Sequence, residues 1–303
     1  MKIHILRVLE KNMENKIYLK DEELEELFKN RIIQHNSYNS NSELFQYGDI
    51  IFKIYNGENE STSFNKCVIN NIFNKYSHLN IIDELILPEK ILIYNMHTVG
   101  FSMPFIEGTL LEEIISKDLN YNMKKIFLNL LNVINKFDEL PFEFCIGDMH
   151  EKNIIIDSNN NVKIIDPDSF IIDNNKLCIN KKYLVGKYAN YYFNNFELKK
   201  VKSFIDYYSL LCIILNYSFK GIIEDVLDPI TWLRNNSQFK DIHSILFRVD
   251  ENFILNEEDI DIILDLKNNI NYKFTKKHDA HKDIKRVRKL LKENSKYYSF
   301  ITE

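Results

Sequence analysis

The chain has 303 residues, 45% hydrophobic and 27% charged, which is enough apolar material for a sizeable core. Its formal net charge of −5 excludes the global basic footprint of a nucleic-acid-binding protein. The longest apolar run, 210–215, is far too short to span a bilayer, and the N-terminal residues lack the unbroken apolar stretch of a signal peptide. A cytoplasmic protein with no membrane contact is expected. The four cysteines, Cys67, Cys145, Cys178 and Cys212, are far apart with no ligand spacing, and read as reduced, buried thiols.

Residues 20–30 have helical spacing with acids in the first turn, where the helix dipole favours negative charge. Strands are expected at 43–47 and 49–55, joined by a hairpin turn at Gly48-Asp49. Residues 64–76 return to helical spacing, with Phe64, Val68, Ile69, Ile72 and Phe73 on one side. Two more strands are expected at 85–94 and 98–106. From Thr109 the pattern is helical: 109–117, 121–138, 203–217, 229–235, 239–248, 256–267 and 280–294. One hairpin interrupts it, with strands at 153–157 and 162–166 around an Asn-rich turn at 158–161. A β-rich first third followed by a helical remainder implies two lobes with a cleft between them.

The chemistry concentrates in Ile146-Gly147-Asp148-Met149-His150-Glu151-Lys152-Asn153, the hairpin after it, and Asp166-Pro167-Asp168. A symmetric four-residue turn would pair Asp157 with Val162 and Asn153 with Asp166. An amide oxygen and a carboxylate side by side suit a hard cation such as Mg²⁺. Asp148, on the loop entering this ribbon, is placed to accept a proton from an attacking hydroxyl while the metal bridges phosphate oxygens.

This arrangement, Asp148-x4-Asn153 followed by a hairpin to Asp166, resembles the catalytic and metal-binding loops of the protein-kinase superfamily. The resemblance implies Asp148 as catalytic base and Asn153 and Asp166 as metal ligands. Lys53, in Asp49-Ile50-Ile51-Phe52-Lys53, resembles the strand lysine that contacts nucleotide phosphates. Met103 resembles the gatekeeper, with the backbone near Phe105 and Ile106 meeting adenine. Asp206 resembles the helix aspartate that braces the catalytic loop. An α+β, two-lobed protein-kinase-like fold follows, with a small β-rich lobe over 1–106 (an N-terminal extension to about 32) and a helical lobe over 107–303.

Four departures stand out. The phosphate-covering loop should be glycine-rich, yet 36–42 contains no glycine. No acid lies between Ser61 and Ile82, where the family's helix glutamate pairs with the strand lysine, and counting back from His78 places Asn70 at that position. Ile146 stands where histidine is usual, and Gly147 where arginine or glycine is usual. His150 and Asp166-Pro167-Asp168 resemble the aminoglycoside-phosphotransferase branch, whereas the helix beginning Asp206-Tyr207-Tyr208 resembles protein kinases. Asp168 divides evenly between a role at the site and loop capping, and His150 reads as a structural loop residue.

The function expected is ATP-dependent phosphoryl transfer to a hydroxyl, of Ser/Thr protein kinase type, with ATP and Mg²⁺ (or Mn²⁺) as cofactors. The acceptor is a protein or a small molecule, nucleic acid is not a partner, and a regulatory protein partner is compatible. The alternatives are a pseudokinase acting as a nucleotide-binding interaction module and a small-molecule kinase.

Overall fold

A computed structural model describes residues 15–29, 42–57, 60–173, 204–220, 229–235, 237–249 and 253–269. It is a mixed α/β structure. A five-stranded sheet runs in the order β1-β4-β5-β3-β2, from β1 (Lys16–Tyr18), β2 (Ser42–Tyr47), β3 (Ile50–Tyr55), β4 (Lys90–Tyr94) and β5 (His97–Pro104). The β2–β3 hairpin has the expected two-residue turn. Tyr47 pairs with Ile50, and Gly48 takes φ +59°, which a residue with a Cβ adopts only under strain. β1 was not legible in the sequence: it is three residues long and joins β4 in parallel.

Alternation along β3 sorts its side chains. Phe52 enters a small core with Ile17, Leu27, Phe45 and Leu92, beneath the helix Asp21–Lys29 (α1). Ile51 and Tyr55 enter the main core on the opposite face, where Val68, Ile69 and Ile72 of the helix Glu60–Asn74 (α2) also pack. Lys53 shares that second face by period. The short helix Tyr76–Leu79 (α3) ends this part.

The strand expected over 85–94 is divided in two. Only Lys90–Tyr94 joins the large sheet. Residues 84–86 instead bond the internal hairpin: Ile164 N–H donates to the Glu84 carbonyl at 2.7 Å and Ile86 N–H to the Ile164 carbonyl at 2.9 Å. Lys136 fixes the Glu84 carboxylate at 2.7 and 2.8 Å.

The later strands are short. A three-stranded sheet orders β6 (Thr109–Leu110), β8 (Ile154–Ile156) and β9 (Val162–Ile164), and a two-stranded ribbon pairs β7 (Phe144–Cys145) with β10 (Ile171–Ile172). Helices lie at Leu111–Ser116 (α4), Met123–Phe137 (α5), Phe204–Ser218 (α6), Pro229–Arg234 (α7), His243–Phe247 (α8) and Glu257–Asn269 (α9); the helix expected over 239–248 is 3-10 up to Ile242, and the one expected from Thr109 begins only after β6. On α5, Ile126, Phe127, Leu130, Ile134 and Phe137 are buried along one stripe. α6 is buried almost all round, which places its lone acid, Asp206, inside the core. Among the described residues no helix is long and apolar enough to cross a membrane. The helix expected over 280–294 lies outside the described residues.

The cysteine expectation needs correction. Cys67, on α2, is disulfide-bonded, whereas Cys145 and Cys212 are buried and outside any disulfide. No spacing signal marks the bond, because no other cysteine lies near Cys67 along the chain.

Candidate functional site

The internal hairpin differs from its expected register by one residue. Ile154 pairs with Ile164 and Ile156 with Val162, so the turn spans 157–161. Asp157 is the cause. Its carboxylate accepts from the backbone of Asn159 and Asn161, both at 2.8 Å, and from Asn161 Nδ2 at 2.9 Å, so Asp157 belongs to the turn and not to the strand.

This shift changes what lies opposite Asn153. Its carbonyl accepts from Ile165 N–H at 2.9 Å, and Asp166 lies one residue beyond the ladder. Asn153 and Asp166 are therefore not a cross-strand pair, contrary to the symmetric-turn expectation. Asp166 takes a left-handed backbone, φ +73° and ψ +54°, uncommon for a residue with a side chain and typical of functional turns. The bend sends its carboxylate to Lys53, where Oδ1 accepts from Nζ.

Lys53 is held at two points. Besides Asp166, it donates to Asp168 Oδ1 at 2.7 Å. Asp168 is 3% exposed and sits on the 3-10 turn Pro167–Ser169. Its other oxygen, Oδ2, accepts from Asn65 Nδ2 at 3.0 Å. Asn65 is on α2. Asn70, the residue expected to stand in for the helix glutamate, instead donates to the Lys66 carbonyl at 3.0 Å and faces solvent. Five residues separate the two, more than a full helical turn, and they point in different directions. Sequence reasoning missed Asn65. The signal that was present was the stretch without acids at 61–82, set against a second acid at 168.

The charges balance unequally. For Asp166, burial acts upward, but the charge and hydrogen bond of Lys53 outweigh it and hold the carboxyl below its ordinary range. Asp168 is pushed up to about 6: burial is the largest cause, and the Asp166 charge adds to it against the pull of Lys53. Burial opposes the Lys53 charge, yet the two acids more than compensate and raise its pKa. Burial, then the charges of Asp168 and Asp166, raise the Tyr55 phenol well above its usual value, so its hydroxyl stays protonated.

The loop before the hairpin is fixed from beneath. Asp206 Oδ2 accepts from Ile146 N–H at 2.8 Å and Oδ1 from Gly147 N–H at 3.4 Å. Burial pushes Asp206 up to about 7 despite these two donors. Gly147 has φ +76°, and a Cβ there would lie 2.6 Å from the Ser169 carbonyl oxygen, so no larger residue fits this turn unstrained. Ser169 Oγ donates toward the carbonyls of Asp166 (2.9 Å) and Ile146 (3.3 Å), tying the two segments together.

Within the loop, Asn153 Nδ2 donates to the Asp148 carbonyl at 3.0 Å, which leaves its amide oxygen to other partners. His150 Nδ1 accepts from Lys152 N–H at 3.2 Å, so the ring proton of the neutral form sits on Nε2, which lies 3.6 Å from Asp148 Oδ2. The structure thus brings His150 to Asp148, where the sequence suggested only a loop role. For a hard cation the available donors are Asn153 Oδ1 and Asp166 Oδ2, an all-oxygen set with the right chemistry.

The expected adenine-binding segment lies at and just after the end of β5. Met103 is 6% exposed and pairs with Ile51 across β5 and β3. Phe105 N–H donates to the Asp49 carbonyl at 2.8 Å and is thereby occupied. Among the described residues no backbone hydrogen bond takes up the N–H of Ile106. The expected phosphate-covering loop lies outside the described residues except for Ser42.

No family profile and no curated protein matches the sequence. Among solved structures, the chain is similar to WbdD in its co-crystal structure with the kinase inhibitor LY294002, at 11% identity and a TM-score of 0.43. The match covers 79% of this chain and 47% of that one, so the chain spans about half the length of that protein.

Proposed function

We propose that the chain is an ATP-dependent phosphotransferase with a two-lobed, protein-kinase-like fold, transferring the γ-phosphate to a hydroxyl in the manner of a Ser/Thr protein kinase. The observation that carries this reading is the joining of Lys53 with Asp166 and Asp168 at the end of the hairpin that follows the Asp148–Asn153 loop. Elements separated by more than a hundred residues converge there. A core built only for stability would have little use for three ionised side chains at that point.

In this reading Lys53 presents a permanent positive charge to phosphate oxygens. The Ile106 N–H meets adenine, and Met103 and Ile51 form the apolar wall beside it. Asn153 Oδ1 and Asp166 Oδ2 would hold Mg²⁺ (or Mn²⁺), which neutralises charge between phosphate groups when bound. Asp148 accepts the proton of the attacking hydroxyl. His150 Nε2 stands 3.6 Å from that carboxylate, and Asp206 keeps the loop from retracting by holding two of its backbone N–H groups. Positioning and charge account for most of the acceleration in such a site.

The test is transfer of label from γ-phosphate-labelled ATP, in Mg²⁺ and in Mn²⁺, to a generic protein acceptor and to aminoglycosides. Asp148→Asn and Asp166→Asn run alongside. Transfer or ATP hydrolysis abolished by both variants supports the reading. Nucleotide binding with no turnover for any acceptor favours the pseudokinase instead, and no nucleotide binding sinks the proposal.

A further inference from the structure

We infer that Asp168, backed by Asn65, is the residue that positions Lys53, in place of an acid on α2; the inference rests on the phosphotransferase reading above. Three observations carry it. Lys53 Nζ reaches Asp168 Oδ1 at 2.7 Å, Asp168 is 3% exposed, and its second oxygen receives Asn65 Nδ2 at 3.0 Å. Beyond Glu60 at its first position the helix carries no acid, because none occurs from 61 to 82. Asp166 also touches Lys53, but its side chain is 32% exposed against 3% for Asp168, and one of its oxygens must serve a cation. Asp168 has no such second duty.

The consequence is mechanical. Lys53 takes its alignment from the segment following β9, on the same ribbon end as Asp166, and not from α2. α2 packs on the Pro167–Ser169 turn and contributes an amide to Asp168. Displacing α2 therefore removes one hydrogen bond from a carboxylate and leaves the ion pair in place. A site arranged this way holds its lysine without requiring α2 to deliver a charge.

The experiment is steady-state ATP turnover by the full chain, comparing wild type, Asp168→Asn, Asn65→Leu and the reciprocal exchange Asn65→Asp/Asp168→Asn. Thermal melting of each confirms folding. Loss of a charge-assisted hydrogen bond to Lys53 predicts that Asp168→Asn raises the KM for ATP about 10- to 100-fold. The exchange restores net charge, keeps an oxygen on Lys53 and reverses the 65–168 hydrogen bond. It should therefore recover most of the loss, which a merely structural role for Asp168 would not produce. Asn65→Leu, outside the ion pair, should raise the KM about 3- to 10-fold and tests the inference even if Asp168→Asn does not fold. If the wild type turns over ATP while Asp168→Asn and Asn65→Leu both leave KM and kcat within about twofold, the inference is overturned and the phosphotransferase reading stands. A wild type that binds no ATP overturns both.

Discussion

Lys53→Met tests the ion cluster directly, because methionine keeps the unbranched stem and removes only the charge. Lys53 has a side chain 10% exposed, and its removal leaves Asp168, 3% exposed, with the neutral Asn65 amide as a hydrogen-bond donor but without its cation. Breaking a buried pair from one side costs about 3–5 kcal/mol, since the surviving charge stays buried. Asp166 adds less, because its side chain is 32% exposed and partly screened. At about 2–4 °C per kcal/mol, melting should fall by about 6–20 °C. The assay is thermal and urea unfolding of the apo protein in metal-free buffer. Lys53→Met/Asp168→Asn should be more stable than the sum of the two single changes implies, by about 0.5–3 kcal/mol, because the second substitution removes the charge that the first exposed. A loss below about 1 kcal/mol for Lys53→Met would refute the reasoning, for it would equal that of a solvent-screened surface pair.

Asp206, raised to about 7 by burial, is protonated more readily in the folded state than in the unfolded one, where an Asp titrates near 3.9. Its contribution is therefore present at low pH and lost as pH rises through about 7. Asp206→Asn should lack this dependence, so the stability of the variant relative to wild type improves by roughly 3 kcal/mol between pH 5 and pH 8, measured by urea unfolding at both. Gly147→Ala forces a Cβ within 2.6 Å of the Ser169 carbonyl oxygen at positive φ. It should cost about 1–3 kcal/mol in unfolding and depress ATP turnover more than any change at the exposed end of the hairpin. Asp157→Ala removes the three hydrogen bonds that close the 157–161 turn and should cost about 1–2 kcal/mol, comparable to losing a helix cap. An unchanged melting temperature would mean that the turn closes without its side chain.

Local physics made much of this protein legible from its sequence. Apolar spacing at 3.6 residues placed α1, α2, α5, α6 and α9. Alternation together with Gly48 placed the β2–β3 hairpin, and the run from Asp148 to Asp168 marked where chemistry would gather. These signals lie within a dozen or so residues, where backbone geometry ties neighbours together. The tertiary structure decided what no local period encodes. The hairpin register slipped by one because Asp157 spends its carboxylate on the turn, and the left-handed backbone at Asp166 then redirected that acid toward Lys53. β1 pairs in parallel with a strand more than seventy residues away, and Cys67 acquired a disulfide. The choice of Asp168 and Asn65, over Asn70, as the support for Lys53 depended on how α2 is rotated against a turn about a hundred residues further along the chain. Sequence fixes which residues can carry charge, but the low-dielectric interior makes one pairing of buried charges far better than its neighbours, and only packing selects which pairing forms.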